Sequence, residues 1–352
     1  MRDERALIML HVGVDAWNLP ADQRGVGRYV RSILREWHTS FGDRIRVSLI
    51  VPEWHTWTVR ARYGSATGGV PYPILSRAFH ARAQPDVLWF PWNGCSWLNF
   101  SGPAVATLHD AMSFVIPDHE SQAKVIFRNA AERCHTLITD SVFSAHELAR
   151  ELAVPLDRFT PIPLGVSMEP PLAPPRIDVR ELAPYVLFVG TSEQRKGIVT
   201  LVKAMERVQR TDPDLRLVIA GMRGNGLRGD EAVVMSELGH VDDATLAALY
   251  RNAVVFAFPS RYEGFGLPVL EAMAHGAPVI TTNVTAIPEA AGDAAHYVPA
   301  DDADALAAAI ARIRRDRSYA ASLRERGLAH AARMTWTVSA RSTLDVLERA
   351  AS

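Results

Sequence analysis

SRYEGFGLPVLEAMAHGAPVI, residues Ser260 to Ile280, is the stretch that sets the reading of this chain. It follows an apolar run, Ala253 to Pro259, filled by aromatic and β-branched residues without alternation. Such a run predicts a strand buried on both faces of a parallel sheet. Gly264 and Gly266 predict a turn. Pro268 fits the first turn of a helix, where a missing N–H costs nothing, and Gly276 predicts the end of that helix just after His275. Strand, glycine turn and helix N-terminus in succession aim backbone N–H groups and the positive end of a helix dipole at one place. That suits a phosphate, cradled over Gly264, Phe265, Gly266 and Leu267.

Two carboxylates bracket the turn, Glu263 before it and Glu271 on the helix. A carboxylate beside a phosphate needs another task, and accepting hydrogen bonds from sugar hydroxyls is one, because an ionised carboxylate is acceptor-only and can take two hydroxyls. Glu263 would take those of a donor sugar and Glu271 those of a ribose. The same spacing reads equally well as a solvated loop glutamate and a first-turn glutamate placed for the helix dipole.

Around this stretch the chain restarts one pattern twice. With 352 residues it is long for one core, and two domains of about 150 to 180 residues are expected. In the first half, strands are predicted at Ile8 to Asp15, Arg46 to Val51, Asp86 to Phe90, Ala104 to Leu108 and His135 to Thr139. Helices are predicted at Arg28 to Thr39 and Ser121 to Cys134, and Ser144 is a candidate N-cap with Glu147 three residues on. Pro52 to Ser76 stays unassigned. The proline-rich run Ser167 to Pro184 reads as an extended linker. The second half gives six strands alternating with helices, a doubly wound parallel α/β sheet. Trp336 to Ala350 reads as an amphipathic terminal helix with Val338, Leu344, Val346 and Leu347 on its apolar side. The domains are accordingly 1–168, a linker 169–183, 184–335, and a terminal helix 336–352.

Composition excludes several classes. A net charge of −1 argues against a general nucleic-acid binder. Two cysteines, Cys95 and Cys134, make neither a metal cluster nor a disulfide framework, which fits a reducing compartment. The pairs Asp242-Asp243 and Asp301-Asp302 do not form a D-x-D at a strand end, and Asp243 or Asp302 reads as a helix start, so no metal is expected. The N-terminus reads as a first strand rather than a signal peptide, and no apolar run reaches the roughly 18 residues of a membrane span. A cytoplasmic protein is expected, with contact at the inner membrane face left open. Seven of the eight tryptophans, Trp17 to Trp97, lie in the first hundred residues. They serve packing, with Trp54, Trp57, Trp92 and Trp97 held as alternatives for a sugar-stacking or membrane-facing surface.

Three further motifs sit where strands end. RGVGRY places Gly25 and Gly27 in a turn after the first strand. His109-Asp110 closes the strand Ala104 to Leu108, at the usual ligand crevice of an open α/β sheet, although a lone histidine there serves structure more often than chemistry. Arg195-Lys196 lies between a strand and a helix and on its own reads as a solvated pair.

Together these motifs resemble the retaining glycosyltransferases of the large family 4. The resemblance rests on E-x7-E within RYEGFGLPVLEAMAHGAPVI, on H-D-x-x-x-F ending at Phe114, on the Arg195-Lys196 pair, on the Leu238-Gly239-His240-Val241 element and on RGVGRY. It implies the GT-B fold, two Rossmann-like domains facing each other across a cleft, with the terminal helix returning to the first. It also implies a nucleotide-sugar donor as substrate, no cofactor, and a glycan or glycolipid acceptor, in polysaccharide or O-antigen type biosynthesis. Carried over residue by residue, His109 contacts the donor sugar near its C6 hydroxyl, with Asp110 beside it. Arg195 and Lys196 stabilise the departing diphosphate in place of a metal. Gly239, His240 and Val241 meet the nucleobase, and Gly25 and Gly27 face the donor phosphates and the acceptor. Two positions depart from the pattern: Arg24 stands where a small residue is usual, and Gly197 where Asn is usual. Attack on the same face as the leaving group is the mechanism implied, and mannose from GDP-mannose is the donor favoured by the likeness, with UDP- and dTDP-sugars kept open. An epimerase of the same fold and a non-catalytic sugar-binding module are the alternatives. A phosphorylase would need a cofactor lysine, and Lys196 and Lys203 are the only lysines of the second half.

Overall fold

Apolar runs without alternation become strands covered on both faces, and in the computed structural model of the chain they build one parallel sheet in each half. The structure describes residues 9–22, 25–52, 57–67, 69–79, 84–115, 121–169, 173–227 and 232–352. Ile8, Arg24 and Trp54 lie outside the described residues, as does the side chain of Trp57. The chain divides into two compact units, Met1–Gly165 with Trp336–Ser352, and Val166–Thr335.

The first unit holds β1 (Leu10–Asp15), β2 (Ile45–Val51), β3 (Ile74–Ser76), β4 (Val87–Phe90), β5 (Ala104–Thr107), β6 (Thr136–Thr139) and β7 (Phe159–Pro161). They form a parallel sheet in the order β3-β2-β1-β4-β5-β6-β7. Its helices include α1 (Gly25–Ser40), α2 (Trp57–Ala66), α3 (Met112–Val115), α4 (Ser121–Arg133) and α5 (Val142–Leu152). The strand order reverses between β1 and β4, so a ligand crevice is expected at the C-terminal ends of those strands.

Several details differ from the sequence reading. α1 begins at Gly25, not Arg28, so Gly25 and Gly27 form its first turn rather than a loop before it. Gly27 is buried, and a Cβ there would strike the carbonyl oxygen of Asp22, which also accepts from Arg31 Nη1 at 2.7 Å. α2 and β3 lie in the stretch that had no assignment. α5 is capped by Ser141, whose Oγ accepts from the Ser144 N–H at 3.0 Å, so Ser144 is a helical residue and not the cap. Trp92 is buried and donates from Nε1 to the Asp15 carbonyl at 2.7 Å. Trp97 packs on Phe90 and Phe100 with the Arg77 guanidinium over its ring. Both therefore serve packing and not an open stacking surface. Cys95 and Cys134 meet in the core as free thiols, with Sγ atoms 3.5 Å apart.

The second unit holds β8 (Tyr185–Val189), β9 (Arg216–Ala220), β10 (Met235–Gly239), β11 (Val255–Phe258), β12 (Val279–Thr282) and β13 (His296–Val298). All pair in parallel, in the order β10-β9-β8-β11-β12-β13. The helices are α6 (Ile198–Gln209), α7 (Asp243–Asn252), α8 (Leu267–Ala274), α9 (Ile287–Ala291), α10 (Ala303–Arg315) and α11 (Arg317–Ala331). Asp242, not Asp243, caps α7, and Asp302 caps α10 as the sequence suggests. α9 is a short helix between β12 and β13 that the sequence reading does not contain. Part of the expected linker is docked rather than extended: the Arg176 N–H donates to Thr245 Oγ1 at 3.0 Å, and Val179 is buried in a short helical turn, Val179–Leu182.

The terminal helix α12 (Trp336–Ala351) belongs to the first unit, where it packs on α1 and on β4, β5 and β6. Its buried side is Trp336, Ser339, Ala340, Thr343, Leu344, Val346 and Leu347. Val338 is 56% exposed, so it is not on the apolar side. Trp37 Nε1 donates to the Ala340 carbonyl at 3.0 Å, and Arg44 grips both oxygens of Glu348 at 2.8 and 2.9 Å.

Candidate active site

In the second sheet the strand order reverses between β8 and β11, and the loops that leave these two strands carry Glu193, Arg195, Lys196 and Glu263 in contact with one another. After β8 the chain makes a short helical turn, Gln194–Lys196, and enters the left-handed region at Gly197 (φ 72°) before α6. After β11 comes Pro259 and then Ser260 to Glu263. The two loops are tied together, since Arg261 N–H donates to the Arg195 carbonyl at 2.8 Å. Lys196 Nζ consequently lies 2.6 and 2.8 Å from the two oxygens of Glu263. Ser260 Oγ donates to Glu263 Oε1 at 2.7 Å, and the Glu263 N–H donates to Thr285 Oγ1 at 3.2 Å.

This pair is largely enclosed, with side-chain exposures of 14% for Lys196 and 10% for Glu263. Lys196 also stands over the Phe258 ring, 5.3 Å from its centroid. Arg195 is the more open cation; its Nε pairs with Glu193 at 3.0 Å, and its Nη1 lies 3.9 Å from Glu263. Gly197 cannot be replaced freely: its φ is positive, and a Cβ would strike the Pro259 carbonyl oxygen.

α8 begins at Leu267 behind Gly266 (φ 110°), which offers no side-chain cap, with Pro268 in the first turn. The turn Gly264 to Leu267 thus leads straight into a helix N-terminus of the kind that receives anions. Phe265 and Leu267 are buried and anchor it. Glu271 stands beyond the first turn, which contains no acidic residue. It is therefore not the dipole-placed glutamate that the spacing also allowed. Its side chain is buried, and Tyr250 Oη donates to Oε2 at 3.3 Å. Gly239 ends β10 at φ 65°, His240 is exposed and Val241 half-buried.

The first unit places its own predicted residues at strand ends. His109 follows β5 and is buried. Its Nδ1 lies 2.8 Å from Asp140 Oδ2 and its Nε2 lies 2.9 Å from the Pro91 carbonyl, which must accept. Both ring nitrogens are therefore engaged by the protein. Burial works against the charged ring, but the Asp140 carboxylate, the Pro91 carbonyl and Asp110 outweigh it, and the imidazole titrates above its ordinary value. Burial also raises the Asp140 carboxyl, against the pull of His109. The ring of Tyr29 from α1 packs edge-on to His109 at 5.1 Å. Asp110 Oδ1 accepts the Met112 N–H at 2.9 Å at the start of α3, and Phe114 packs on Phe127, so these two members of H-D-x-x-x-F shape the loop.

Sequence reasoning missed Asp140, Ser260 and Tyr250. Asp140 and Ser260 were legible by the rule that selected His109, since each stands just beyond a parallel strand. Tyr250 lies inside a helix and carried no such signal. Among the described residues, no group of three or more His, Cys, Asp or Glu side chains could hold a metal ion. No described helix is long and apolar enough to cross a membrane.

The glycosyl transferases group 1 family matches residues 183–316, the segment that contains Arg195, Lys196, Glu263 and Glu271. The O-antigen chain mannosyltransferase B of Escherichia coli is 34% identical over 254 residues, covering 66% of this chain and 67% of that protein. The chain belongs to the group 1 glycosyltransferases. The phosphatidyl-myo-inositol mannosyltransferase of Mycolicibacterium smegmatis is 33% identical over 260 residues, covering 70% of this chain and 65% of that protein. This group 1 enzyme is therefore mannosyltransferase-like. Its fold is that of solved glycosyltransferases at low identity. Sucrose-phosphate synthase from Thermosynechococcus elongatus superposes with a TM-score of 0.70 at 21% identity, covering 97% of this chain and 98% of the other. Anabaena HepE in complex with UDP and glucose gives a TM-score of 0.68 at 15% identity, covering 96% and 98%. The GT-B fold expected from the resemblance is the fold of this group 1 glycosyltransferase.

Proposed function

We propose that this chain is a retaining, metal-independent family 4 hexosyltransferase that moves mannose from GDP-mannose to a hydroxyl of a glycan or glycolipid acceptor in polysaccharide or O-antigen type biosynthesis. The observation that carries the reading is the Lys196–Glu263 pair at the reversal point of the second sheet, joined by Arg195 and the glycine turn. The mannose preference draws on the relatives named as mannosyltransferases.

In this reading the acceptor oxygen forms a bond to the anomeric carbon while the bond from that carbon to the diphosphate oxygen breaks, on the same face. The acceptor proton passes to the departing phosphate. Arg195 and Lys196 take up the negative charge that develops there, acting as preorganised cations. The N–H groups of Gly264 to Leu267 receive the diphosphate. Glu263 accepts from hydroxyls of the transferred sugar, and Glu271 accepts from the ribose. Gly239, His240 and Val241 lie against the nucleobase. His109, which the resemblance puts near the C6 hydroxyl, works from a ring fixed by Asp140 and Pro91, with Asp110 shaping its loop. The resemblance assigns Gly25 and Gly27, in the first turn of α1, to the donor phosphates and the acceptor.

A panel of GDP-mannose, UDP-glucose, UDP-galactose, UDP-GlcNAc and dTDP-rhamnose, read by thermal shift and slow donor hydrolysis, tests the donor. GDP-mannose is expected to stabilise the protein most and to be hydrolysed; selection of a UDP- or dTDP-sugar instead overturns the mannose assignment. Turnover of the selected donor is expected to survive excess EDTA, and its abolition there would contradict the protein-cation mechanism.

A further inference from the structure

Glu271 has the ribose task in the proposed function, and a buried carboxylate can do that work only if its plane is held in one orientation. Tyr250, on α7, is 1% exposed and donates from its hydroxyl to Glu271 Oε2 at 3.3 Å. Its ring is locked from two sides. Phe256 of β11 meets it edge-on at 5.3 Å and 76°, and His275, which ends α8, stacks on it at 5.8 Å and 22°. The hydroxyl position is therefore set by packing against the strand and the helix that frame the site.

A carboxylate offers about four lone-pair positions. Two vicinal hydroxyls use two, and a fixed phenol that uses a third leaves the carboxylate little freedom to rotate away. We propose that Tyr250 is a positioning residue for the donor's nucleoside, orienting Glu271 so that it accepts from both ribose hydroxyls. The inference rests on the ribose reading of Glu271.

Tyr250→Phe removes only the hydroxyl and keeps the ring packing. Dissociation constants are to be measured by calorimetry for GDP and 2′-deoxy-GDP, with UDP and 2′-deoxy-UDP in parallel so that base preference does not decide the result. The wild-type protein is expected to prefer the ribonucleotide by about tenfold, the worth of one hydrogen bond to a charged group. Glu271→Gln should largely abolish that preference. Tyr250→Phe should cut it by about threefold or more while deoxynucleotide affinity stays near wild type. A preference unchanged in Tyr250→Phe but lost in Glu271→Gln would overturn the role of Tyr250 alone. A preference absent from the wild type, or unchanged in Glu271→Gln, would overturn the ribose reading beneath it. Equal weakening of ribo- and deoxynucleotide in Tyr250→Phe would mark a merely structural residue.

Discussion

Lys196 and Glu263 stand 67 positions apart in the chain, yet the ammonium contacts both carboxylate oxygens, at 2.6 and 2.8 Å. Each neutralises the other in an enclosed place at the reversal point of the sheet. Under the proposed mechanism, Lys196→Ala and Glu263→Ala each lower turnover by at least about a hundredfold, a loss of roughly 2.7 kcal/mol of transition-state stabilisation. Because the two groups share one interaction, the double variant should lose much less than the product of the single losses. Strict multiplication in a double-mutant cycle would show that they act separately.

The His109–Asp140 pair supplies a pH signature. Both groups titrate above their ordinary values in the folded chain, so the native state holds more protons than the unfolded state. Stability from the pair is then lost as pH rises. For His109 that contribution is whole below about pH 6.5, the unfolded value, and fades as pH climbs through the raised folded value. Asp140→Asn keeps the shape but removes the charge, so that burial weighs more heavily against the charged imidazole. Asp110, whose charge also acts on the ring, and Tyr29, which packs against it, are unchanged. The stability advantage of the wild type over Asp140→Asn should therefore shrink over the range from about pH 6.5 upward, through the raised folded value of the ring, in urea titrations. An advantage constant across that range would mean that the ring is not held charged by Asp140.

Much of this architecture was legible because parallel strands announce themselves. Val255–Phe258 is an unbroken apolar run, and the turn behind it has a glycine, a proline and a glycine where a helix must start, pause for no donor and stop. What stayed hidden were contacts between distant segments. No spacing rule joins Lys196 to Glu263, and none lifts Tyr250 out of its helix toward Glu271. Pro52 to Ser76 hid α2 because its tryptophan, tyrosine and glycine residues give no helical stripe. Ser141 is hidden as the cap because Ser144 with Glu147 imitates a capping box one turn later.

Gly197 stands where the family pattern has Asn, and the backbone explains what the exchange means here. Asn tolerates a left-handed conformation, but at this φ of 72° any Cβ would meet the Pro259 carbonyl oxygen. Gly197→Asn should therefore displace the loop after β11 or the Arg195-Lys196 turn. The expected cost is about 1 to 3 kcal/mol of stability, within the range for local backbone strain, together with weaker donor binding. A thermal scan and a donor titration check both; an Asn variant of wild-type stability and affinity would show that the loop has room to move.

The terminal helix shows how far one unit depends on sequence from the other end of the chain. Trp37 is fully buried, and its indole N–H finds its acceptor in Ala340, 303 positions away. Removing residues 336–352 would expose Trp37 and delete the buried Trp336, Leu344, Val346 and Leu347. Each large apolar side chain lost from a core costs about 1.5 to 3 kcal/mol, against a domain stability of about 5 to 15 kcal/mol. A chain ending at Thr335 should lose the cooperative unfolding transition of Met1–Gly165, whereas the sheet of Val166–Thr335, which takes no strand from the removed segment, keeps its own. Calorimetry of the truncated chain separates the two, and persistence of both transitions would mean that the first unit closes its core without α12.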